Sequence, residues 1–132
     1  MEQKIYDAYV KILREELVPA MGCTEPIAVA YAAALARKTL GILPETVDIR
    51  VSANIIKNVK SVVVPHTGGL RGIAAAAAAG IVAGDADAQL EVLSQVTEEQ
   101  IAQMKKVREM GRSERIPIAA RGIRINRITV TA

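Results

Sequence analysis

The sequence has 132 residues, enough to bury one core but too few for two independent ones, so we expect a single domain over residues 1–132. Apolar residues make up 51% of the chain and charged residues 23%, proportions that argue against wholesale disorder. Phe and Trp are absent and Ala, Val and Ile are abundant. Small side chains predict a thin core that benefits from a partner surface, in a homo-oligomer or in a larger protein.

The net charge is +3, with 17 basic and 14 acidic residues. A basic face alone can contact phosphates, but the stacking aromatics and motifs typical of nucleic-acid binding are missing. We therefore favour a solvated face, or one that meets an acidic partner domain, over nucleic-acid binding. The basic excess lies late in the chain: Lys105, Lys106, Arg108, Arg112, Arg115, Arg121, Arg124 and Arg127.

The cellular setting follows from the cysteine count and the start of the chain. A single cysteine excludes an internal disulfide, and no signal peptide opens the sequence, so we expect a cytoplasmic protein. The longest uncharged apolar stretch, residues 72–84, is shorter than the roughly 20 residues of a membrane-spanning helix. No membrane association is expected.

Two helices are predicted in the first third of the chain. The first spans residues 2–17, because apolar side chains recur at helical spacing, and Pro19 ends it. The second covers residues 27–40 and is apolar nearly all round, which predicts burial. Thr24 is its predicted N-cap, and Gly41 is its C-terminal stop. The apolar side chains of the first helix are Ile5, Tyr9, Ile12 and Leu13.

The middle of the chain changes to alternating patterns. Residues 46–53 predict a strand and residues 61–64 a second one, while residues 54–58 between them have no clear conformation. A glycine-containing loop then leads into an alanine-rich helix over residues 70–83.

The last third is predicted to hold one helix and two strands. Thr97 and Gln100 form a capping-box pattern for a helix that runs to about Met110. Alternating isoleucines predict strands near residues 116–118 and 123–130. Together the elements predict an α+β fold, a mixed α/β layer structure with helices packed on one modest sheet.

Cys23 stands in the stretch A-M-G-C-T-E-P-I, beside Glu25 and at the predicted start of the second helix. The helix dipole and free N–H groups there favour the thiolate, the form that binds iron or zinc or takes part in proton transfer. Glu25 can act as a base or orient a substrate ammonium. The alternative is an inert cysteine packed inside the protein. A single cysteine cannot hold a cluster by itself, since four ligands are usual.

Two further polar stretches are candidates for ligand binding. Residues 65–72, P-H-T-G-G-L-R-G, precede a helix and can converge backbone N–H groups on an anion, although a simple tight turn is the alternative. The role of His66 in this stretch stays open. The second candidate holds Asn54, Lys57 and Asn58, where Lys57 can bind a carboxylate, and its alternative is a solvated connection between strands.

These stretches together resemble the N-terminal part of the L-cysteine desulfidase family, which is related to the iron–sulfur L-serine dehydratases. A-M-G-C-T-E-P-I-A-V-A-Y-A-A-A-L is similar to the family's G-C-T-E-P segment and following helix. S-A-N-I-I-K-N resembles its N-x-x-K-N stretch, and V-V-V-P-H-T-G-G-L-R-G its V-P-x-T-G loop. The resemblance covers nearly the whole chain. The family usually has glycine where this chain has His66, and it carries further cysteines in a later part that this chain lacks.

The resemblance implies a lyase that removes the α-proton and sulfide from L-cysteine, or water from L-serine, and yields pyruvate and ammonia. It implies a [4Fe–4S] cluster as Lewis acid, completed by cysteines outside this chain. Cys23 is then a cluster ligand or an essential thiol, and Glu25 orients substrate or ligand. The implied substrate pocket is lined by Asn54, Lys57, Asn58, Thr67 and Gly68.

Three functions remain as hypotheses. The first is the N-terminal domain, or a split subunit, of such a lyase, inactive without its missing C-terminal domain or partner subunit. The second is a non-catalytic small-molecule-binding or assembly module of the same fold. The third is a small anion-binding or nucleic-acid-associated protein that uses the basic C-terminal third.

Overall fold

The computed structural model describes residues 2–110 and 127–131. Helices dominate, and the two short strands form a minimal sheet, so the predicted α+β class is confirmed. The helices are α1 (Gln3–Glu16), α2 (Thr24–Leu40), α3 (Ala53–Val59), α4 (Ile73–Ala83) and α5 (Glu98–Met110), with a 3-10 helix at Ala86–Glu91; the strands are β1 (Thr46–Arg50) and β2 (Arg127–Thr131).

The two strands pair in parallel, with Thr46 opposite Arg127 and Arg50 opposite Thr131. A parallel pair needs a long connection between its strands. Here α3, α4 and α5 all lie in the sequence between β1 and β2.

The core is centred on α2 and α4, whose facing residues are mostly alanine. Nearly every residue of α4 is buried, from Ala75 to Val82, and α2 buries Ile27, Val29 and Ala30 against it. A Cβ added at Gly80 would overlap the backbone carbonyl of Ala30. The alanine-rich composition therefore has a structural reason, since small side chains let these two helices approach until their backbones almost touch.

Glycine and a capping box fix two helix ends as predicted. Gly41 adopts a left-handed φ of 81° after α2, and its N–H donates to the carbonyl of Arg37 at 2.9 Å. At the start of α5, Thr97 Oγ1 accepts from the Gln100 N–H at 3.2 Å, and Gln100 Oε1 accepts from the Thr97 N–H at 2.9 Å. The predicted capping box is confirmed.

Two local predictions were wrong. Cys23, not Thr24, is the N-cap residue of α2, and Thr24 is already helical. Residues 61–64 form no strand beyond a single antiparallel bridge between Val63 and Arg71. The reason is that the chain reverses direction through the loop at residues 65–69. Residues 62–64 therefore pair only with residues 70–72, which follow the same loop.

The predicted strand over residues 46–53 ends at Arg50, because Ser52 begins a helix there. The Ser52 Oγ accepts a hydrogen bond from the Ile55 N–H at 3.4 Å, which caps α3. The predicted helix over residues 70–83 begins only at Ile73. The predicted strand near residues 116–118 lies outside the described residues, and β2 falls at the end of the last predicted strand.

No helix in the described part of the chain is long and apolar enough to cross a membrane.

Candidate functional site

Three stretches that are distant in sequence meet at the start of α2. A Cβ added at Gly22 would lie 3.3 Å from Pro65 Cγ, so the turn before Cys23 touches the loop at residues 65–69. On the other side, Asn58 Nδ2 donates to Glu25 Oε1 at 3.3 Å. The G-C-T-E-P, N-x-x-K-N and P-H-T-G-G stretches therefore form one cluster, which we call the Cys23 site.

Cys23 occupies the N-cap position of α2 with extended backbone angles, φ −62° and ψ 127°. Its side chain makes no capping hydrogen bond, and the residue is exposed. The alternative of a cysteine packed inside the protein is therefore wrong. A thiol in this position lies at the N-terminal end of α2.

Glu25 lies two residues further on, in the first turn of α2, where a carboxylate interacts favourably with the helix dipole. Both of its oxygens have hydrogen-bond donors nearby. Oε1 accepts from Asn58 Nδ2 at 3.3 Å, and Oε2 accepts from Thr24 Oγ1 at 3.4 Å. The carboxylate is thus oriented from two sides, and one of the two donors comes from α3.

The helix α3 presents the predicted polar residues together. Asn54, Lys57 and Asn58 are spaced by three and four residues, so they share one face of the helix, and all three are exposed. Asn58 bonds to Glu25. Lys57 makes no hydrogen bond or ion pair with any residue that the structure describes. Its ammonium group is therefore available to bind an anion on this face of α3.

Thr67 shapes the loop from within. It is fully buried, its Oγ1 donates to the Val64 carbonyl at 2.7 Å, and it accepts from the Leu70 N–H at 3.1 Å. These bonds engage the hydroxyl inside its own turn. Gly68, the next residue, is exposed with a left-handed φ of 67°, and a Cβ there would lie 3.4 Å from Ile101 Cγ2 of α5.

His66 fastens the loop to the segment that precedes α5. Its Nδ1 lies 2.9 Å from the Leu93 carbonyl oxygen, so Nδ1 carries the proton and donates it. Its φ of 57° lies in the left-handed region that favours glycine. The ring contact gives His66 a structural part that the sequence did not reveal.

Sequence reasoning also missed the residues that hold the turn before Cys23. Gly22 has a left-handed φ of 93°, and the Met21 N–H donates to the Leu90 carbonyl at 3.4 Å, which ties the turn to the 3-10 helix. The glycine between Pro19 and Pro26 was a signal for the turn. Nothing in the sequence indicated its contacts with Pro65 and Leu90.

The residues of this chain do not by themselves fit an iron–sulfur cluster. Such clusters are usually held by four cysteine thiolates, whereas Cys23 is the chain's single cysteine. No group of three or more His, Cys, Asp or Glu side chains within residues 2–110 and 127–131 is arranged to hold a metal ion. Cys23 could supply one ligand, and a cluster bound here would need its other cysteine ligands from another polypeptide segment.

The chain is similar to bacterial proteins named UPF0597 proteins. It is 59% identical over 104 residues to one from Desulfitobacterium hafniense, a match that covers 79% of this chain and 24% of the relative. It is 55% identical over 101 residues to one from Treponema denticola, which covers 76% and 23%. The chain thus spans about a quarter of the length of these relatives, whose names state no activity. No family model and no solved structure matches the chain.

Proposed function

We propose that this chain is the N-terminal portion, or a split subunit, of a cytoplasmic iron–sulfur-dependent lyase that converts L-cysteine or L-serine to pyruvate and ammonia, with release of sulfide or water. The chain is inactive alone. One observation carries the proposal: the three stretches that resemble the L-cysteine desulfidases meet at Gly22 and Glu25, on either side of a single exposed thiol. Packing alone does not require an exposed cysteine between two such stretches.

The side chains around Cys23 suit an α-amino acid. The Lys57 ammonium binds the substrate carboxylate, and the oriented Glu25 carboxylate binds the substrate ammonium. Asn54 shares the face of α3 with Lys57 and lines the same side. Thr67 and Gly68 belong to the loop whose Pro65 lies near Gly22, and in this proposal that loop borders the substrate.

Cys23 acts as a thiolate, either as one ligand of the cluster or as an acid–base group. When bound, an iron–sulfur cluster supplies a Lewis acid for the leaving group. Because this chain has one cysteine, the remaining ligands lie in a partner or in a further part of the protein. The relatives are about four times longer than the stretch they share with this chain, which supports such a further part.

The test uses a chimera in which this chain replaces the matching quarter of the Desulfitobacterium relative. We expect the chimera, reconstituted anaerobically with iron and sulfide, to consume L-cysteine or L-serine and release pyruvate, while the 132-residue chain alone releases none. Cys23→Ala should abolish turnover. The control is Lys60→Ala, an exposed change at the C-terminal end of α3, which should leave turnover intact.

Two results would contradict the proposal. One is a chimera with Cys23→Ala that remains as active as the unmodified chimera. The other is an unmodified relative that acts on neither amino acid under the same conditions. A chimera that binds the amino acid without turnover, beside an active relative, would instead favour the non-catalytic binding module.

A further inference from the structure

The helix α1 exposes an apolar face to solvent. None of its 14 residues is buried. We define the α1 apolar face as Ile5, Tyr9, Ile12 and Leu13, which follow one another at helical spacing and are 45% to 57% exposed. The charged residues Lys4, Asp7, Lys11 and Arg14 lie on the opposite side of the helix.

Little within the described part of the chain stabilises α1 as a helix. Isolated helices of about 12 to 15 residues are marginal in water, and most helices are stabilised by packing an amphipathic face. The N-cap residue Glu2 makes no side-chain capping bond. The ion pair between Lys11 and Glu15, at 3.8 Å, is exposed on both sides and contributes little. A helix of this kind needs a covering surface.

We propose that the α1 apolar face docks into an apolar groove on the part of the longer protein that this chain does not span. The occupant is a segment within the other three quarters or so of the length found in the relatives. The inference rests on the part of the proposed function that makes this chain a portion of a longer protein. It does not depend on the reaction.

A second copy of the chain fits the α1 apolar face less well. A 14-residue helix is about 21 Å long and about 10 Å wide. Two such faces in contact would bury on the order of a few hundred Å², whereas stable interfaces bury about 1,200–2,000 Å². A groove contacts more of the helix circumference and buries Tyr6 and Leu17 at the margins of the face as well.

A membrane surface also fits poorly. Helices that lie on membranes usually carry an excess of Lys and Arg on the polar face. Between residues 2 and 17 the acidic residues are four and the basic residues three. The helix therefore has no net attraction to anionic lipid.

Hydrogen exchange measured by mass spectrometry tests the proposal in the 132-residue chain and in the chimera. We expect α1 amides to exchange almost freely in the chain alone, and at least about 100-fold more slowly in the chimera. The buried helix α4 is the internal standard and should be protected in both. If α4 shows the chimera to be unfolded, a smaller graft of residues 2–17 into the relative allows the same comparison.

A matched pair of double variants tests the α1 apolar face itself. Tyr9→Gln with Ile12→Gln should remove the protection of α1 in the chimera, and Lys4→Gln with Lys11→Gln should keep it. Glutamine is a good helix former at every position, and the exposed Lys11–Glu15 ion pair lost in the second variant contributes little, so the main difference is the face that is changed.

Three results would overturn the proposal. These are α1 left unprotected in the folded chimera, protection in the chain alone that rises with its concentration, and protection that requires phosphatidylglycerol vesicles. The second would identify another copy as the occupant, and the third a membrane. A chimera that protects α1 but lacks lyase activity would support the docking and contradict only the proposed reaction.

Discussion

Asn58 Nδ2 donates a hydrogen bond to Glu25 Oε1 at 3.3 Å and so joins α3 to the first turn of α2 across 33 residues of sequence. Glu25 follows Cys23 by two positions. The place of the carboxylate beside the thiol therefore depends on α3, a helix that begins at a serine cap and has only seven residues. The contact links two stretches that the sequence could only treat separately.

We expect Asn58→Ala to lower turnover of the reconstituted chimera by about tenfold, because the Glu25 carboxylate loses one of its two donors and its orientation. The free energy of unfolding should fall by only about 0.5 kcal/mol, since the bond is exposed and long. Steady-state kinetics and urea unfolding measure the two effects.

Lys60→Ala, an exposed change at the C-terminal end of α3 and outside the proposed pocket, is the control for Asn58. Lys60 makes no hydrogen bond to Glu25, so turnover should change less than in Asn58→Ala. Equal losses of turnover in both variants would contradict a specific positioning role for Asn58.

Substitutions of Cys23 at the N-cap position of α2 should affect stability and turnover differently. Cysteine makes no capping bond there, whereas serine is among the preferred N-cap residues. We expect Cys23→Ser to raise the free energy of unfolding by about 0.5 kcal/mol and still abolish turnover in the chimera. Cys23→Ala should abolish turnover without the gain. Urea unfolding of the 132-residue chain and pyruvate release by the chimera are the measurements. A Cys23→Ser chimera that retained turnover would remove the thiol from the mechanism.

Lys57 should bind the carboxylate of the substrate. We expect Lys57→Ala to raise KM for the amino acid by about tenfold or more, because a charge-assisted hydrogen bond is lost. Lys60→Ala, at the end of the same helix, is the control and should leave KM unchanged. The prediction fails if the two variants raise KM equally, or if an amino-acid amide is bound as well as the free acid by the unmodified chimera.

Thr67 is expected to act on the loop and not on the substrate directly. Thr67→Val keeps the shape but leaves the Val64 carbonyl and the Leu70 N–H without their partner, which should cost about 1–3 kcal/mol of unfolding free energy. Thr67→Ser keeps the hydroxyl and should cost less. Thermal unfolding of the two variants decides it, and a fully stable Thr67→Val would show that these buried bonds contribute nothing.

The helices α1, α2, α4 and α5 were predictable because each carries its own local signal, whereas the helix α3 was missed, since residues 54–58 showed no clear pattern. Apolar periodicity marked α1, the Gly41 stop marked the end of α2, and the Thr97 capping box marked the start of α5. These signals act within a few residues, so a sequence reveals them directly. The strand β1 was also predicted, but its end was placed too late, because Ser52 is the N-cap residue of α3 and the strand stops before it.

The arrangement of the Cys23 site was not predictable in the same way. Its defining contacts, between Glu25 and Asn58 and between Gly22 and Pro65, join residues more than 30 positions apart. Contacts of this kind depend on how the helices pack, and no local pattern encodes them. The resemblance brought the right stretches together, but it could not show that Thr67 is buried or that Asn58 binds a neighbouring side chain.

Gly80 gives the sharpest test of the packing that positions the Cys23 site. Because α2 carries Cys23 and Glu25, the close approach of α4 to α2 fixes where both side chains lie. A Cβ at Gly80 would overlap the Ala30 backbone, which cannot move without shifting α2. We expect Gly80→Ala to cost about 1–3 kcal/mol or more of unfolding free energy, despite the better helix propensity of alanine.

Ala74→Ser, on the exposed side of α4, is the control and should change the free energy of unfolding by less than about 0.5 kcal/mol. Urea unfolding of the 132-residue chain measures both, and a Gly80→Ala variant as stable as the parent would mean that α2 and α4 do not approach this closely.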